Sequence, residues 1–234
     1  MASILFLHGL GGTAASVAPV ADALRAGGHE VATPTLPGHG TSPGDLTATG
    51  WEAWRAAAAR ELVALRSPVI AIGQSMGAAL VLSLAADPVL GSRIAGVGCI
   101  NPVVLSDPDA IEHLEWQIGR GVVLTPPAPA DIRDPDVVDD EAYERLPLQA
   151  LLEMSRNVAE VDLATVTQPV LIVTSLDDDV VDPANSDAVA AGVRGHVDRL
   201  ALHRSGHVAT LDLERDLVAA ELLSWIGRLP LRDR

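Results

Sequence analysis

Val69-Ile70-Ala71-Ile72-Gly73-Gln74-Ser75-Met76-Gly77-Ala78-Ala79-Leu80-Val81-Leu82 is an aliphatic run that stops at a glycine-flanked serine and resumes as an unbroken apolar stretch. The first four residues read as a buried strand and the residues from Ala78 onward as a helix, so Ser75 falls on a sharp strand-to-helix turn. Gly73 and Gly77 suit that turn because larger side chains there would collide with neighbouring backbone. The turn pushes the serine Oγ outward. It also aims the first helical amides, beginning with Met76, at the place where negative charge appears when an acyl carbonyl is attacked. Glycine-flanked serines also occur in ordinary loops; the strand before and the helix after make Ser75 a candidate nucleophile.

Working outward, short aliphatic runs bounded by Gly, Pro, Asp or His recur at residues 4–7, 30–36, 94–100, 170–174 and 197–202, which with 69–72 makes six strands. They alternate with stretches of helical period, the pattern of crossover units on a mostly parallel sheet with helices on both faces. Trp51, Trp54, Ala58, Leu62 and Leu65 share one face of a crossover helix. A closing helix is expected with Leu213, Leu217 and Leu223 near one stripe, a cap at Asp212 and a stop at Pro230. Residues 103–168 break the rhythm: Pro126-Pro127-Ala128-Pro129 leads into an acid-rich stretch, and helical spacing returns at Leu148, Leu151, Leu152 and Ser155. This region reads as an insertion of short helices, a cap over a pocket, within one domain spanning 1–234.

At 234 residues and 48% hydrophobic the chain can bury one substantial core, built from branched aliphatics since aromatics are only 3%. A net charge of -15 repels phosphates, which argues against nucleic acid or an anionic membrane as partner. Cys99 is the only cysteine, so neither an intramolecular disulfide nor a thiolate metal cluster can be built. The apolar start breaks at His8-Gly9, short of a signal peptide, and no run approaches the length of a membrane span, so a cytoplasmic protein without membrane insertion is expected.

A serine hydroxyl needs a base. Of seven histidines, His29 and His196 sit in charged turns, His113 in the insertion and His203 at a strand end, whereas His207, in Ser205-Gly206-His207-Val208, follows the last strand where a doubly wound sheet gathers its site. A carboxylate that orients the imidazole is expected after the preceding strand, where Asp177-Asp178-Asp179 offers three candidates that spacing does not separate. His8-Gly9-Leu10-Gly11-Gly12 follows the first strand and offers the Leu10 amide as a second oxyanion donor beside that of Met76. Without a Lys and Ser/Thr pair to close it, a phosphate-binding loop is disfavoured.

These motifs, with Pro37-Gly38-His39-Gly40 and Val180-Val181-Asp182-Pro183, resemble the α/β-hydrolase superfamily nearly end to end, most closely its bacterial monoacylglycerol lipases and small carboxylesterases. The resemblance implies an α/β-hydrolase fold with a short helical cap after the sixth family strand. It selects Asp178 as the acid, by its distance from the Val-Val pair and the proline, giving the triad Ser75, Asp178 and His207. It also places Asp140 near a cap carboxylate facing a glycerol head group. The implied activity is cleavage of carboxylic esters, on small substrates with an acyl chain, through an acyl-enzyme and without metal or organic cofactor. Thioesterase, lactonase or carbon-carbon bond hydrolase chemistry would use the same triad, and a non-catalytic ligand-binding role is the reading from a different class. Dehalogenase and epoxide hydrolase readings fail, because they require an aspartate where Ser75 stands.

Overall fold

The computed structural model describes residues 1–137 and 141–230. Six strands, β1 (Ser3–Leu7), β2 (Glu30–Ala32), β3 (Val69–Gln74), β4 (Ile94–Ile100), β5 (Val170–Ser175) and β6 (Val197–Leu202), form one sheet of order β2-β1-β3-β4-β5-β6, every pair parallel. Parallel strands need crossovers, and these are the helices α1 (Ala18–Ala26), α2 (Pro43–Thr47), α3 (Trp51–Ala64), α4 (Met76–Ala86), α5 (Pro108–Gly119), α6 (Leu148–Val158) and α7 (Ala184–Gly192), while α8 (Arg215–Arg228) follows the last strand.

Alternate residues of each central strand feed opposite layers, the consequence of a two-residue side-chain period. Leu5, Leu7, Val69, Ala71, Val97, Cys99, Val170 and Ile172 pack with α3, α4, α6 and α7. Ile4, Phe6, Ile70, Ile72, Ile100, Leu171 and Val173 pack with α1 and α8. β1, β3 and β5 are buried along their whole length, so both faces of the sheet are covered.

Three expectations are corrected. The second strand ends at Ala32 rather than residue 36, because Pro34 carries no ladder donor and the Leu36 amide goes to His8 Nε2 at 3.0 Å instead of a strand partner. In the closing helix the buried stripe is Val218, Ala219, Leu222, Trp225 and Ile226, whereas Leu213 lies before the helix and Leu217 is 45% exposed. Leu223 packs at the stripe's margin. Glu214, not Asp212, occupies the N-cap position. The crossover face of α3 runs as expected through Trp51, Trp54, Ala58 and Leu62, with Leu65 buried just beyond its end.

Between β4 and β5 lie α5 and α6, joined by the ion pair of Arg156 with Glu115 at 2.7 Å. α6 buries Leu148, Ala150, Leu152 and Val158, while α5 buries none of its residues. Among the described residues no helix is long and apolar enough to cross a membrane.

Candidate active site

The strand order reverses between β1 and β3, so their C-terminal ends open a crevice, and the loops after β5 and β6 come to the same edge. Ser75 occupies the turn between β3 and α4 at φ 54° and ψ -121°, outside the regions that L-residues favour. Its amide donates to the Ile100 carbonyl at 2.9 Å, which anchors the strained turn to β4. The flanking glycines are obligatory: a Cβ at Gly73 would lie 2.2 Å from the Gly77 carbonyl group, and one at Gly77 2.5 Å from the Leu7 carbonyl oxygen. Gly9 brings the loop after β1 near the same turn, since a Cβ there would stand 3.2 Å from that of Ser75.

His207 Nδ1 and Asp178 Oδ2 are 2.7 Å apart. The other carboxylate oxygen of Asp178 accepts the amides of Val180 and Val181, both at 2.8 Å, so the turn after β5 aims this acid inward. Asp177 and Asp179 face solvent, Asp179 pairing with Arg133 at 3.2 Å. Burial alone would raise Asp178, but the hydrogen bond and charge of His207, with the Val181 and Val180 amides, outweigh it and hold the carboxyl below its ordinary range. Ser75 and His207 are 8% and 7% exposed, and no hydrogen bond joins Ser75 Oγ to His207 Nε2 among the described residues. Catalytic hydrogen bonds are often long before substrate binds.

The Met76 amide opens α4, and the Leu10 amide follows Gly9; among the described residues neither donates to a protein acceptor. His8 explains the orientation of the second. Its Nε2 accepts the Leu36 amide at 3.0 Å, which leaves the proton on Nδ1 to donate to the Gly9 carbonyl at 2.8 Å. In a trans peptide the N–H opposes the C=O, so holding Gly9 O in one direction turns Leu10 N–H in the other. Burial and the neighbouring His39 push His8 down to about 3, against the raising effect of the Gly9 bond, so it stays the neutral tautomer. His39, from the Pro-Gly-His-Gly turn, lies edge-on between His8 and Trp54 at 4.9 and 5.8 Å, and burial lowers it to about 4.

The remaining histidines stand elsewhere: His29 Nδ1 accepts the Ala2 amide, His113 stacks on Trp116, His196 pairs with Asp198 at 3.6 Å, and His203 is exposed. Asp140 lies outside the described residues. Sequence reasoning passed over Asn101, which sits at φ 43° just after β4. Its Nδ2 donates to the His207 carbonyl at 2.8 Å and to Ser175 Oγ at 3.0 Å, while its Oδ1 accepts the Ser175 amide at 2.7 Å. The available signal was an asparagine directly after a buried strand, the residue type that tolerates positive φ. Glu214 was also missed; its Oε2 accepts the Arg204 and Ser205 amides at 2.7 and 3.0 Å and braces the turn before His207.

The model of the alpha/beta hydrolase family matches residues 4–221. A thermostable monoacylglycerol lipase of Bacillus sp. (strain H-257) is 31% identical over 231 residues, covering 96% of this chain and 90% of that one. A carboxylesterase of Bacillus subtilis (strain 168) is 24% identical, with 97% and 93% covered. Among solved structures, one from work on LipS and LipT, two metagenome-derived lipolytic enzymes, superposes with a TM-score of 0.88 at 31% identity over 97% of this chain and 93% of that one. The monoacylglycerol lipase of Paleococcus ferrophilus shares the fold, with a TM-score of 0.81 at 18% identity over 96% and 93%.

Proposed function

The chain belongs to the alpha/beta hydrolase family, and from that premise we propose that it cleaves carboxylic esters with Ser75 as nucleophile, His207 as base and Asp178 as the acid behind it. It is an ester hydrolase of the carboxylesterase and monoacylglycerol lipase kind. The single observation that carries the site assignment is the 2.7 Å bond between His207 and Asp178 at the sheet edge where the strained Ser75 turn stands.

Ser75 Oγ attacks the ester carbonyl while His207 Nε2 takes its proton; the Met76 and Leu10 amides receive the oxyanion, and Asp178 stabilises the imidazolium. The tetrahedral intermediate collapses, the C–O bond to the alcohol breaks, and His207 returns the proton to the departing oxygen. Water, deprotonated by His207, then attacks the acyl-enzyme and releases the acid and free Ser75. Each oxyanion amide contributes about 3 kcal/mol to such a transition state.

Residues 103–168 act as a cap within a single domain of 1–234, seated on the core through the buried apolar face of α6. The substrate is a small ester bearing an acyl chain, hydrolysed in the cytoplasm, and the net charge of -15 disfavours nucleic acid as a partner. The test is hydrolysis of p-nitrophenyl esters and monoacylglycerols of increasing acyl length beside Ser75→Ala. Turnover should depend on chain length and vanish in the variant. Faster cleavage of thioesters or lactones would move the substrate class, and no turnover of any acyl compound would favour a ligand-binding role.

A further inference from the structure

Asp131 belongs to the segment between β4 and β5, yet it touches the loops of both the base and the acid. Its Oδ2 accepts the amide of His207 at 2.8 Å and that of Asp179 at 3.0 Å, and its backbone carbonyl accepts Val208 N–H at 3.2 Å. One carboxylate oxygen therefore ties the backbone of the proposed base to the residue that follows the proposed acid. The fit is close: a Cβ at Gly206 would lie 2.3 Å from Asp131 Oδ1 and 2.7 Å from the Asp131 carbonyl oxygen. The glycine before His207 is the space into which Asp131 docks.

Further contacts hold Asp131 in place. Arg133 Nε stands 3.7 Å from Asp131 Oδ1, and Arg133 Nη2 donates to the Asp177 carbonyl and to Asp179 Oδ2. The Arg133 amide donates to Asp212 Oδ2 at 2.9 Å, the same atom that accepts Gly206 N–H at 2.7 Å. The Asp131 side chain is 12% exposed, and hydrogen bonds from amides to an ionised carboxylate are roughly twice as strong as neutral ones.

Resting on the proposed triad, we infer that Asp131 is a positioning residue for ester hydrolysis: it fixes the His207 backbone against the Asp178 loop so that the imidazole presents Nε2 to Ser75. The segment between β4 and β5 thereby supplies part of the geometry of the base as well as cover for the site. A displacement of about 1 Å in such a constellation costs on the order of 100-fold in rate.

The test measures Asp131→Ala and Asp131→Asn beside wild type and Ser75→Ala, on a short p-nitrophenyl ester and by the low-field proton resonance of the His207–Asp178 hydrogen bond. Asp131→Ala should lower kcat by about 10- to 100-fold with KM within about twofold, and should broaden or shift the resonance. Asp131→Asn, which keeps a carbonyl oxygen for the two amides, should recover most of kcat. Wild-type kcat and an unmoved resonance in Asp131→Ala overturn the inference, as does a loss confined to KM. Should the alanine variant not fold, Asp131→Gln, whose acceptor is displaced by one methylene, takes its place under the same criteria. If wild type hydrolyses no ester, the functional reading fails, and the resonance still reports whether Asp131 holds the His207–Asp178 pair.

Discussion

Asp178 is distinguished from the aspartates beside it by a local turn: its Oδ1 captures the Val180 and Val181 amides, which leaves Oδ2 for His207. Asp178→Asn should lower kcat by roughly 10⁴-fold, because an amide stabilises the wrong imidazole tautomer and no imidazolium. Asp177→Asn and Asp179→Asn should each stay within tenfold of wild type, which steady-state kinetics on one ester will read. Gly77→Ala drives a Cβ to 2.5 Å from the Leu7 carbonyl oxygen, a contact with backbone that no rotamer relieves. It should yield protein that is inactive and destabilised by at least about 1–3 kcal/mol in denaturant titration. At this scale Ser75 and His207 stood out as candidates from their motifs, whereas three adjacent carboxylates have the same local pattern and only the family resemblance chose among them. Asn101 and Asp131 were not legible, since the bonds that give them meaning reach His207 across 106 and 76 residues.

Among the elements, the buried strands announced themselves because both faces are covered and their sequences are aliphatic throughout. β2 was overestimated where Pro34 interrupts an otherwise strand-like run, and α8 was placed on the wrong stripe because leucine occurs on both of its faces. Tertiary contact with α1 and β5, not leucine content, decides which stripe is inside. Trp225→Ala should therefore cost about 3–5 kcal/mol, while Leu217→Ser should stay within about 0.5 kcal/mol of wild type, both by chemical denaturation. α5 lacked a buried stripe to betray it; it begins at Pro108 behind the Asp107 cap, and its ion pair ties it to α6.

For the whole molecule, the parallel sheet determines what meets at its C-terminal edge, and it buries His8 and His39 as neutral rings at the crevice. Both have folded-state values, about 3 and about 4, below the 6.5 of an unfolded histidine, so the unfolded chain binds more protons as pH falls below 6.5. Stability is thus full above that value and is lost on acidification, by roughly 2 kcal/mol for each ring on reaching pH 5. Denaturant titrations at pH 7 and pH 5 should show the drop, and His39→Gln should remove about half of it. The same edge carries both the Ser75 turn and the His207 loop although they are distant in sequence, and whether they act together is best read from the nucleophile itself. Incubation with a fluorophosphonate followed by peptide mass spectrometry should place the adduct on the Ser75 peptide in wild type, at a rate that collapses in His207→Ala. Labelling at another residue, or at Ser75 with equal speed in both proteins, would contradict the triad.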